Sequence, residues 1–113
     1  RMAERSGLGN ALLHLLTGDS FDSAEALRLN FVQRVVPAGG ELAEALRIAQ
    51  AIAQQAPLAV VATRLNALRA VEHGPVVAAQ EFDATQQRLA NSEDAREGVR
   101  SFVEKRAARF TGR

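Results

Sequence analysis

Leucine, alanine and valine return every three or four positions along this chain, in blocks closed off by glycine, asparagine and proline. Leu8, Leu12, Leu15 and Leu16 share one helical face over residues 8–16, and Gly18 follows where a left-handed residue can satisfy the last carbonyls. Asp22 is placed to cap a second helix, with Glu25 three residues on to reach back as in a capping box. That helix carries Ala26, Leu27 and Leu29 and stops near Asn30, the non-glycine residue best suited to a left-handed stop.

Phe31, Val32, Val35 and Val36 then form a β-branched run closed by Pro37-Ala38-Gly39-Gly40, which reads as a short strand or extended connector. A third helix over 41–55 places Leu42, Leu46, Ala49 and Ile52 on one stripe. Pro57 opens a fourth, with Leu58, Val61, Leu65 and Leu68 as its inner face, and His73-Gly74-Pro75 repeats the stop and start. The fifth helix runs to Ala90-Asn91 along Val76, Ala79, Phe82 and Leu89. Ser92 caps a sixth, with Glu93 and Asp94 against its positive end, Ala95, Val99 and Phe102 as its stripe, and Lys105 and Arg106 in its last turn. Residues 110–113 trail off. The third and fourth helices are apolar on more than one side, an excess for a chain of 113 residues that implies burial against another domain or subunit.

Composition narrows the class. The length is that of one domain and too short for a full-sized enzyme with a substrate cleft of its own. There is no cysteine, so no disulfide and no thiol chemistry, consistent with a reducing compartment. Fourteen basic against 13 acidic residues leave a net charge of +1, without the cluster that nucleic-acid binding needs. No apolar run approaches the roughly 20 residues that span a bilayer, and the basic N-terminus lacks a signal-peptide core. These features point to a cytoplasmic protein without nucleic-acid or membrane partners.

Catalytic chemistry is sparse. His14 and His73 stand apart with no cysteine to join them, which argues against a metal site, and both read as ordinary helix residues. No serine sits in a strand-to-helix elbow beside a base. Gly7, Gly9, Gly39 and Gly40 lack the strand and spacing of a phosphate loop. Glu81, Asp83, Glu93, Asp94, Glu97 and Glu104 lie on helix faces or first turns, where capping and solvation account for them. Residues 22–36 loosely suggest a DNA-binding helix-turn-helix, but a recognition segment that is β-branched and ends in Pro37 is a poor helix.

Read in order, Leu15-Leu16-Thr17-Gly18-Asp19, Phe21 to Ala26, Phe31-Val32, Val35-Val36-Pro37, Ala56 to Val60, Ser92 to Gly98, Phe102 to Arg106 and Phe110 to Arg113 resemble the C-terminal part of the enoyl-CoA hydratase/isomerase (crotonase) superfamily. The resemblance covers nearly the whole chain. It implies an all-α fold, a small orthogonal bundle of about six helices with one short extended segment. Residues 1–113 would form a single C-terminal helical and oligomerisation domain whose N-terminal catalytic part, with its oxyanion-holding amides and carboxylates, is absent.

The same resemblance implies hydration of a trans-2-enoyl-CoA, of the fatty-acid β-oxidation type, with a CoA thioester as substrate and no tightly bound cofactor. It implies packing into trimers or dimers of trimers. It further implies that the last helix lends Phe102 and Lys105, three apart and so neighbours on a helix, to the adenine and phosphate end of CoA. On the residues alone, Phe102 can equally be core and Lys105 a solvated charge. No catalytic residue falls within the chain, and the segment alone is expected to be inactive. The alternatives are a stand-alone helical oligomerisation module, or a family isomerase, hydrolase or dehalogenase. Asn30, Phe31 and His14 depart from the family's usual residues; Phe31 adds bulk near the acyl-binding side.

Overall fold

The computed structural model describes residues 2–113; Arg1, part of the basic N-terminal start, lies outside them. Among the described residues the chain is helical, with no strand: α1 (Met2–Ser6), α2 (Leu8–Thr17), α3 (Ser23–Arg28), α4 (Glu41–Ala53), α5 (Pro57–His73), α6 (Pro75–Gln80), α7 (Phe82–Ala90) and α8 (Glu93–Val103). These form two compact units, one reaching Glu44 and the other Ala45–Arg113.

In the first unit the helix stops are local chemistry. Gly18 adopts φ 73° and its N–H donates to the His14 carbonyl. Asp22 accepts from the Glu25 N–H at 2.8 Å, as a cap should. Glu25 does not reach back to complete a capping box; its carboxylate instead takes a forked pair of bonds from Arg28, at 2.7 and 2.6 Å. Asn30 takes φ 60°, and the N–H groups of Asn30 and Phe31 donate to the carbonyls of Leu27 and Ala26 at 3.1 and 2.9 Å, a full Schellman closure. Among the described residues, 31–36 form a connector rather than a strand, with no ladder to a neighbouring segment. The short α1 ahead of Gly7 was not legible in the apolar pattern; it is tied by the Ser6 hydroxyl on the Met2 carbonyl at 3.0 Å.

In the second unit α5 packs against α6 and α7, and α7 against α8. Pro57 opens α5 and Gly74, at φ 87°, separates it from α6. The expected fifth helix is two, broken at Glu81, where the sequence has neither glycine nor proline. The break coincides with an ion pair from Arg69 of α5 to the Glu81 carboxylate.

Which faces are covered differs from the expectation. On α5 the half-buried positions are Ala59, Val60, Ala62, Asn66 and Ala70, whereas Leu58, Val61, Leu65 and Leu68, expected inside, are exposed. Small side chains allow a close helix approach, so the alanine side packs and the leucine side stays bare. The fully buried apolar residues are Ala11, Leu29 and Ala78. Leu16, Leu42, Val71, Val76, Val99 and Phe102 are each 68% or more exposed, so the excess of apolar surface inferred from the pattern is present within the chain.

Candidate functional site

Helix α8 and the segment after it carry the two residues singled out for ligand contact. Ser92 caps the helix, its hydroxyl accepting from the Ala95 N–H at 3.0 Å. Along α8 the shielded positions are Asp94, Ala95, Glu97, Gly98 and Ser101, a polar and small-residue stripe. The apolar residues Val99, Phe102 and Val103 point outward, and Phe102 is 85% exposed. Phe102 is thus not core in this chain.

Lys105 does not lie in the last turn of α8. The helix ends at Val103, so Lys105 is not on the helical face of Phe102 but beyond the cap residue Glu104, at φ 51°. The Lys105 N–H donates to the Phe102 carbonyl at 3.3 Å and the Arg106 N–H to the Ser101 carbonyl at 3.1 Å. This is the same Schellman closure as at Asn30, with a lysine in the left-handed position. The hydrogen-bonded turn itself joins Phe102 to Lys105. The Lys105 side chain is exposed and its ammonium has no partner among the described residues.

Around this turn lies a network that helix-face reasoning did not find. Arg106 holds both Glu97 oxygens, at 2.5 and 2.9 Å, and its Nε donates to Glu104 at 2.5 Å. The Glu97 carboxylate also accepts the Arg109 N–H at 2.9 Å. The Arg106 guanidinium, seconded by that N–H, pulls the Glu97 pKa down from the usual 4.5 to about 2, and Glu97 and Glu104 in turn raise that of Arg106.

Asp94, only 3% exposed, accepts the N–H groups of Thr111 and Gly112 at 2.7 and 2.9 Å, while its own N–H donates to the Arg113 carbonyl. The last residues therefore do not trail off; they fold back along α8, with Gly112 at φ 80° against Pro57. Glu97 and Asp94 are structural clamps as well as helix-face carboxylates. The only hint of them in sequence is the acid spacing after Ser92, which a cap also explains.

The remaining features offer no reaction centre. An open groove of about 650 Å³ lies between α5 and α7, lined by Leu65, Arg69, Phe82 and Leu89 among others, and neither Phe102 nor Lys105 borders it. In the first unit the His14 ring meets Phe21 at 4.7 Å between centroids and Phe21 stacks on Phe31 at 5.6 Å. His14 Nε2 is 3.8 Å from Glu25, too far for a hydrogen bond. Among the described residues no group of three His, Asp or Glu side chains could hold a metal ion, and no helix is long and apolar enough to cross a membrane.

The chain and its helical fold have counterparts among known proteins. The family model for enoyl-CoA hydratase/isomerase matches residues 1–113. Enoyl-CoA hydratase EchA19 of Mycobacterium tuberculosis is 41% identical over 100 residues, 88% of this chain and 37% of that protein. Carnitinyl-CoA dehydratase of Proteus mirabilis is 36% identical over 103 residues, 88% of this chain and 40% of that protein. The crystal structure of a probable enoyl-CoA hydratase/isomerase from Mycobacterium abscessus matches with a TM-score of 0.93 at 44% identity, over 100% of this chain and 44% of that one. The chain belongs to the enoyl-CoA hydratase/isomerase family. It spans less than half the length of these relatives.

Proposed function

We propose that the chain is the C-terminal helical domain of a cytoplasmic family enzyme that hydrates a trans-2-enoyl-CoA, and that it contributes subunit packing and one edge of the CoA site. The proton transfers and the amides that stabilise the thioester oxyanion would come from the part of the enzyme outside these residues. Addition or removal of water on a CoA thioester is the chemistry common to the names of the relatives, whose acyl groups differ. No tightly bound cofactor is needed for it.

The observation that carries the site is that a bare Phe102 side chain and an uncommitted Lys105 ammonium belong to residues joined by one hydrogen-bonded turn. The ring can cover the adenine while the ammonium meets a phosphate of the same ligand. Bare stripes on α2, α4, α5 and α8 fit a trimer or a dimer of trimers, in which they would be covered.

The test uses the full-length enzyme and crotonyl-CoA. Hydration is expected, and Lys105→Ala raises KM about fivefold with turnover retained, because a partly screened contact remote from the chemistry is lost. No hydration at high enzyme concentration overturns the reaction; an unchanged KM returns Lys105 to a solvated charge.

A further inference from the structure

The geometry points to Glu97 as a positioning residue that, through Arg106, presets Lys105 for the CoA phosphate. This inference rests on the CoA contact proposed above and adds what holds that contact in place.

Lysine has a Cβ and gains nothing from φ 51°, so it stays in the left-handed region only where its surroundings impose it. The constraint is visible on both sides of it. Before it, Glu104 accepts from Arg106 Nε at 2.5 Å; after it, Arg106 is forked onto Glu97 nine residues back in the chain. Glu97 is anchored on α8 and 15% exposed, and the Arg109 N–H fixes one of its oxygens. Residues 104 and 106 are thus pinned to the helix, and the residue between them is carried with them.

The second consequence is electrostatic. Two carboxylates engage the Arg106 guanidinium, while the ammonium next to it stays uncommitted. An arginine suits the first role because its planar fork matches a carboxylate, and a lysine suits the second as a compact charge for phosphate. Without Glu97 the Arg106 side chain would be released, the turn would lose its outer brace, and Lys105 would sample other directions. The ligand would then have to order it on binding, which weakens affinity without touching the reacting atoms.

The test is a KM and kcat comparison in the full-length enzyme with two substrates, crotonyl-CoA and crotonyl-pantetheine, the second lacking the nucleotide. Glu97→Gln is expected to raise KM for crotonyl-CoA about threefold with kcat retained, and to leave crotonyl-pantetheine unaffected. Combined with Lys105→Ala it adds nothing to the effect of Lys105→Ala alone, since both act on one contact. Arg106→Lys, which keeps the charge and loses the fork, shows the same rise to a smaller degree and serves if Glu97→Gln fails to fold.

If Lys105→Ala raises KM while Glu97→Gln and Arg106→Lys do not, the positioning role is overturned and the CoA contact stands. A fall in kcat, or an equal rise with both substrates, marks Glu97 as merely structural and also overturns the role. An unchanged KM in Lys105→Ala removes the CoA contact itself, independently of Glu97.

Discussion

Glu97 takes its character from what surrounds it rather than from its place on a face of α8. A solvated glutamate on a helix face would titrate near 4.5; forked onto Arg106 and bonded to the Arg109 N–H, it titrates near 2. A carboxylate whose folded-state pKa is depressed stabilises the fold while both states are ionised, above about 4.5, and loses that contribution as pH falls towards 2. The stability difference between the parent and Glu97→Gln is therefore expected to be constant above pH 4.5 and to vanish towards pH 2, read from denaturant midpoints across that range. A difference that persists unchanged at the acid end would mean that the ion pair does not support the closing turn. The acid spacing after Ser92 does not single out this pair, because its members stand nine residues apart on opposite sides of a helix end.

At the scale of elements, caps decide where helices begin, and a cap is a contact between near neighbours. Ser92 bonds the Ala95 N–H and also donates to the Leu89 carbonyl at 2.6 Å, so it terminates α7 while opening α8. Ser92→Ala should cost about 1 kcal/mol in denaturant unfolding, with a larger loss of amide protection at residues 93–95 than elsewhere in α8. Indistinguishable unfolding curves would show that solvent replaces the hydroxyl at no penalty.

The stops at Gly18, Asn30 and Gly74 and the starts at Asp22, Pro57 and Ser92 were all legible for the same reason: each depends on chemistry within about one turn of helix. The capping box at Glu25 was misread for a different reason: Arg28, an equally local partner one turn on, competes for the same carboxylate. The other features that were not legible depend on longer reach. The break at Glu81 goes with an arginine twelve residues earlier. The tail clamp joins Asp94 to residues 17 and 18 positions away. For the candidate site, the residue types were legible through the family resemblance. The conformation of Lys105 was not, since a lysine carries no mark of a left-handed turn.

For the whole molecule, periodicity locates the apolar stripes but not what covers them. A 3.6-residue period is satisfied equally by a stripe packed inside its own chain and by one reserved for a partner. Here the leucine stripe of α2 is uncovered within the chain, and Leu16 is 79% exposed. Leu16→Glu should therefore leave the stability of the 113-residue chain within about 0.5 kcal/mol, as for an exposed surface substitution. If the proposed assembly covers this face in the full-length enzyme, the same carboxylate is forced into an apolar contact without a partner, which costs far more than the lost leucine. Sedimentation then distinguishes the occupants of that face. If a second subunit covers it, Leu16→Glu shifts the enzyme to smaller species whose melting resembles that of the separated parent subunits. If the rest of the same polypeptide covers it, the subunit unfolds at lower temperature without a change in assembly at low temperature. A variant that keeps both its size and its melting temperature would mean that α2 remains bare in the complete enzyme, and the oligomerisation role would then have to rest on α4, α5 and α8.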